Sequence, residues 1–256
     1  MENTGNQYIN KINIPQDSVL YGYFHKNISL QQIKMADLIL GHPQLLFVLQ
    51  RFGIPLGFAD LSISEVCRQE RIPPVFFILV CVMHISKTYE PTTQDIQTVD
   101  VQTMTNYLMT SHLDFKQRIL HIEEHLQHIV LACNPPYGAL LHRFFAEYQK
   151  EVNIHFQYEE ETIFPYLQDV SNHNFSPEFT IKSFRENHTN IEDKLSDLMN
   201  ILIKYLPSNV FPQERIEISL DIVALSEDLR CHTRIEDLIL IPFVEMLENA
   251  NYENRK

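Results

Sequence analysis

The chain has 256 residues, with 33 acidic against 20 basic side chains and a formal net charge of −13 at pH 7. That length supports one large domain or two smaller ones with real cores. The charge argues against broad binding to nucleic acid or anionic membrane, both of which need a basic face. Only six glycines, no tryptophan and many Leu, Ile, Gln and Glu point to helix rather than sheet. The four cysteines, Cys67, Cys81, Cys133 and Cys231, form no Cys-x-x-Cys pair, so they read as reduced core thiols. The first residues, Met-Glu-Asn-Thr-Gly-Asn, have neither the basic nor the apolar part of a signal peptide. The longest apolar run, Val75 to Met83, is too short to span a bilayer, so a cytoplasmic protein with no membrane partner is expected.

Residues 1–28 lack helical periodicity and read as a flexible arm. Ile33, Leu38, Leu45, Leu46, Val48, Leu49 and Phe52 then suit short amphipathic helices, broken at Gly41-His42-Pro43 and Gly53-Ile54-Pro55. Ser62-Ile63-Ser64-Glu65 offers a helix start with an N-cap, and Pro73-Pro74 opens the apolar helix that follows. The expectation is a small helical domain over 29–87 and a polar linker over 88–100. Four long helical segments follow, roughly 101–132, 137–170, 177–206 and 213–249, and 250–256 is left as a tail. The breaks are Asn134-Pro135-Pro136, Ser171 to Pro177, and Leu206-Pro207 to Phe211-Pro212. Short connections make neighbours antiparallel, so 101–249 is expected to be an up-and-down four-helix bundle in an all-α protein.

Within that bundle one pattern occurs twice. His155 is followed four residues later by Glu159 and ten residues later by Pro165; His232, Glu236 and Pro242 repeat the spacing. Residues four apart share a helix face, so each copy presents an imidazole beside a carboxylate. Each proline also suits a simple kink or helix end. Ligands from the other two helices should lie at matching height. His155 stands about 19 residues after the first turn and His112 about 22 before it; His232 stands about 20 after Pro212 and His188 about 19 before Pro207. All four therefore fall near mid-bundle. His121, His125 and His128 fall about 160–220° around the helix from His112, and read as surface histidines if His112 points inward.

Four imidazoles and two carboxylates suit a first-row metal, iron above all, with manganese or zinc as alternatives. If each of two metals takes two histidines and both glutamates bridge, an oxo or hydroxo bridge makes five ligands and leaves a position for O2, NO or another small ligand. Glu192, four residues after His188, reads as either an extra ligand or a supporting carboxylate, and Glu151, four before His155, as a supporting or entry-channel carboxylate.

On these motifs residues 101–249 resemble a hemerythrin-like (HHE cation-binding) domain, and the repeated motif with its apolar-Pro ending looks closest to the iron–sulfur cluster repair di-iron proteins. The resemblance implies two oxo- or hydroxo-bridged iron ions on His112, His155, Glu159, His188, His232 and Glu236, with Glu151 at an acidic position preceding a ligand histidine. It also implies a stress-response role in which O2, NO or peroxide is bound, and damaged iron–sulfur proteins are served. The stretch Pro43 to Phe52 is similar to that family's N-terminal domain. The family's adjacent Cys-Cys and following Gly-Gly are replaced here by Leu56-Gly57-Phe58-Ala59. The same residues leave two other readings open. One is a carrier or sensor that holds O2 or NO reversibly without turnover. The other is a DNA-binding protein under iron control, because Leu61 to Pro74 has the rhythm of a helix-turn-helix, although few basic residues accompany it.

Overall fold

The structure is a computed structural model, and it describes residues 33–133, 135–174, 179–187 and 191–253. The expected arm, His188 and the end of the expected tail lie outside the described residues. The protein is all-α. Among the described residues the only β pairing is an isolated antiparallel bridge between Lys34 and Ser62. The chain divides into two compact units: the described parts of Met1–Leu108, Leu167–Arg185 and Arg234–Lys256 form one, and those of Met109–Tyr166 and Glu186–Thr233 form the other.

The first unit begins with α1 (Met35–Gly41) and α2 (Leu46–Phe52). Gly53 ends α2 in the left-handed region at φ 68°, a conformation open to glycine without Cβ strain, and its N–H returns to the carbonyls of Leu49 and Gln50. Next, α3 (Ile63–Gln69) starts from a reciprocal cap in which Ser62 and Glu65 bond each other's backbone N–H. These bonds from Ser62 hold the Glu65 carboxyl below the usual carboxylate range. Helix α4 (Pro74–Ile85) begins on proline and is buried continuously from Phe76 to Met83. A helix apolar on every side belongs in a core. In α3, burial pushes the Cys67 thiol up to about 12. None of the four cysteines is joined in a disulfide.

The polar stretch after α4 carries a helical turn, α5 (Thr93–Ile96), capped reciprocally by Thr92 and Asp95. Arg234 fixes the chain leading into it by donating to the carbonyls of Met83, Ser86 and Tyr89.

The helices that follow are α6 (Val101–Ala132), α7 (Pro135–Tyr158), α8 (Phe164–Ser171), α9 (Ile181–Asn187), α10 (Asp193–Asn200), α11 (Pro212–Ile235) and α12 (Ile241–Glu253). Helix α6 spans the expected 101–132. Over the expected helix at 177–206 the described residues form α9, a turn at 191–192, and α10, which continues as a π turn over Ile201–Tyr205.

In the second unit, parts of α6, α7, α10 and α11 share one apolar core, including Phe115, Ile122, Phe145, Phe156, Leu195, Leu198, Ile222 and Leu229. Four helical stretches each bury one stripe and expose the other face, so burial rather than intrinsic propensity holds them helical. The α6–α7 turn is tight: a Cβ on Gly138 would sit 2.6 Å from the Val130 carbonyl oxygen. Arg215 ties the start of α11 to the carbonyls of Leu202 and Pro207.

Candidate metal centre

Both copies of the repeated motif pass from α-helix into a π turn, and in each the turn starts at the glutamate. Glu159–Ile163 links α7 to α8, and Glu236–Leu240 links α11 to α12. The downstream proline explains the shift. Pro165 and Pro242 have no N–H to offer the carbonyls four residues back, Glu161 and Leu238. The helix widens instead, so that Phe164 N–H reaches the Glu159 carbonyl and Ile241 N–H reaches that of Glu236, five residues back. Neither proline ends its helical run. Each glutamate thus stands where the backbone leaves regular α geometry.

Within the second unit the predicted ligands His112, His155, Glu159 and His232 come together. Glu159 is fully buried, and its two oxygens face different rings: Oε2 lies 3.1 Å from His112 Nε2, and Oε1 lies 3.0 Å from His155 Nε2. His112 Nε2 is also 3.2 Å from His232 Nε2. Ligand atoms of His112, Glu159 and His232 lie within 4.8 Å of one another, and all three residues are buried. Two imidazole nitrogens facing each other beside a buried carboxylate turn lone pairs towards one point, and two protons cannot occupy the space between the nitrogens.

The walls are aromatic. Phe156 stacks on His112 with ring centroids 4.0 Å apart and 10° between planes, Phe164 lies beyond at 5.7 Å, and Phe115 meets His232 edge-on at 5.3 Å. A carboxylate enclosed by such rings loses hydration worth several kcal/mol unless a cation compensates it. The donor set of imidazole nitrogen and carboxylate oxygen matches first-row metals such as iron or zinc. The residues present therefore fit a bound metal.

Glu236 follows His232 by one helical turn in the same run and is 1% exposed. His188 lies outside the described residues. The two carboxylates expected near the site have separate surroundings. Glu151 is half-exposed and pairs with Lys194. Glu192 is buried beside Tyr148, whose hydroxyl pKa is raised first by burial and then by the Glu192 charge.

Sequence reasoning missed Glu160 and Lys116. His112 Nδ1 lies 3.0 Å from Glu160 Oε1, and Lys116 Nζ donates to the same oxygen at 3.0 Å. A carboxylate that accepts from Nδ1 leaves Nε2 as the lone-pair nitrogen, turned towards Glu159. The bond from His112 is the main reason the Glu160 carboxyl sits below its ordinary range. The signal was present, since Glu160 adjoins Glu159 and Lys116 stands one turn after His112, but adjacency on a helix does not show that a side chain crosses to another helix.

The fold and this cluster define a helical protein with a buried His/Glu site of metal-ligand chemistry. The model of the hemerythrin HHE cation-binding domain matches residues 103–251. That is more than half of the chain, and the protein belongs to this family. Comparison with curated proteins and with solved structures gives no match. Among the described residues no helix is long and apolar enough to cross a membrane.

Proposed function

We propose that the protein is a non-haem di-iron protein of the cytoplasm, with its irons held by His112, His155, Glu159, His188, His232 and Glu236, that serves in repair of iron–sulfur clusters or in the response to nitrosative and oxidative stress. The observation that carries the di-iron reading is the Glu159 carboxylate, whose two oxygens turn to two different imidazoles. A carboxylate so placed is disposed to bridge rather than to serve one ion. Glu236, at the same step of the repeated motif and also buried, is the natural second bridge.

Bound iron supplies a change of redox state and a coordination position for O2, NO or peroxide. The protein's own residues set the terms of that chemistry. Glu160 fixes the His112 tautomer, Phe115, Phe156 and Phe164 keep bulk water from the ligands, and Lys116 neutralises Glu160 at the outer edge. The DNA-binding reading has little support: a recognition helix must expose side chains to the groove, whereas α4 buries Phe76 to Met83.

The test is anaerobic purification with iron analysis and optical spectra, on the wild-type chain and on Glu159→Ala and Glu236→Ala. About two irons per chain, lost in both variants, is the expected result. Full iron content retained in both overturns it. Restoration of a nitrosylated iron–sulfur enzyme by catalytic amounts of the protein supports repair. A stable O2 or NO complex without turnover assigns a carrier or sensor.

A further inference from the structure

The three remaining histidines of α6 are not scattered over solvent. They line a seam along which α6 and α11 run antiparallel within the second unit. His121 Nε2 lies 3.9 Å from Asp221 Oδ2, and seven residues along each helix, in opposite directions, His128 Nδ1 lies 3.0 Å from Glu214 Oε1. His125, on the same face of α6, places its own Nδ1 3.0 Å from that same Glu214 oxygen. The rings of His121 and His125 meet edge-on at 4.7 Å.

We propose that His125, His128 and Glu214 form a second cation site, separate from the buried centre, for a divalent ion of the zinc class. Three observations carry it. First, the donor set of two imidazole nitrogens and one carboxylate oxygen is the three-ligand set of open zinc sites. Second, both nitrogens converge on one oxygen, where two independent surface ion pairs would use two. In a tetrahedral site with ligand bonds of about 2.0–2.1 Å the ligand–ligand edge is ~3.3 Å, close to each 3.0 Å nitrogen–oxygen contact; the two rings, whose centroids are 6.3 Å apart, must swing towards each other for their nitrogens to share one ion, and His128 is exposed enough to do so. Third, exposure is graded as an open site requires: Glu214 is 18% and His125 32% exposed, while His128, at 64%, opens the fourth position to water. On binding, each neutral imidazole turns its Nδ1 lone pair to the ion and carries its single proton on Nε2, and the acidic chain raises the local concentration of cations.

The test uses the iron-loaded full-length protein, titrated with zinc chloride by calorimetry and equilibrium dialysis. One zinc per chain beyond the iron, with iron content unchanged and a saturable rise in melting temperature, is expected. His128→Ala and Glu214→Gln each weaken zinc binding by at least about 10–100-fold, the loss typical of disturbing a ligand's support. Copper(II), which binds such donors more tightly, should show coupling to two imidazole nitrogens by electron paramagnetic resonance in the wild type, and to one in His128→Ala. The same zinc titration on Glu159→Ala separates this site from the buried one, because binding at the seam persists there whatever becomes of iron. Zinc affinity unchanged in both seam variants, or zinc that only displaces iron mole for mole, overturns the proposal.

Discussion

The second unit holds the same two residue types in two settings. In the buried cluster His112, His155, Glu159 and His232 meet between aromatic rings, and the Glu159 side chain has no exposure. At the seam His121, His125 and His128 meet Glu214 and Asp221 with water on one side. The His–Glu contact distances are alike, near 3.0 Å in both. The difference is desolvation: a buried carboxylate demands a compensating cation, whereas an exposed one has water as an alternative. His–Glu proximity alone therefore does not rank sites. The cost of leaving the site empty does.

The strongest test of that contrast is metal removal. A ligand bound only by the native state stabilises it by about 4 kcal/mol at a free concentration 1,000 times its dissociation constant. Chelating iron from the wild type should lower its urea midpoint accordingly and leave that of Glu159→Ala unmoved. Equal loss in both would place the stabilising metal elsewhere.

Glu160→Gln is the next largest perturbation. The amide keeps the shape beside His112 and Lys116 but removes the charge that favours Nδ1–H, so iron affinity should fall about 10–100-fold with the helices intact. Iron dialysis read together with far-ultraviolet circular dichroism separates this from unfolding. An unchanged affinity would reduce Glu160 to a partner of Lys116.

The seam and the buried cluster share α6, and Gly138 asks whether they share its rigidity. Alanine in a helix gains about 1 kcal/mol over glycine, while forcing a methyl into a packed contact costs about 1–3 kcal/mol. At 2.6 Å the obstacle is a backbone oxygen, which cannot swing aside. Gly138→Ala should thus destabilise by up to about 2 kcal/mol net and weaken both iron and zinc binding, as denaturation and dialysis would show. Weakening of one site alone would mean that the helices respond independently.

Much of this was legible in the chain. Periodicity placed α6 residue for residue, because an amphipathic stripe of 32 residues has no competing reading. The His-x-x-x-Glu repeat marked Glu159 with His155, because four-residue spacing on a helix is a geometric statement, and counting rise along the helices pointed to His112. Contacts between helices were not legible in the same way. Glu160 looked like one more acid in an acidic run, and the seam histidines, correctly turned away from His112, gave no sign of Glu214 some 86 residues further on. The π turns were hinted at by Pro165 and Pro242, but a proline alone does not say whether a helix ends, kinks or widens.

The smallest expected effect lies at the seam without metal. Hydrogen bonds from His125 and then His128 hold the Glu214 carboxyl below its ordinary range. A carboxyl with a depressed folded pKa contributes stability that is fully present above its unfolded value, near 4.3, and is lost as pH falls through the folded value. In zinc-free buffer, Glu214→Gln should therefore cost no more than about 1 kcal/mol at neutral pH, the range of partly exposed ion pairs. The gap between the two denaturation midpoints should hold down to about pH 5 and close below about pH 4. A gap that stays open below about pH 4 would contradict this sign, because the carboxyl is then protonated in both states. With zinc present the gap at neutral pH should grow well beyond that of an ion pair, because the carboxylate then holds a cation rather than two hydrogen bonds.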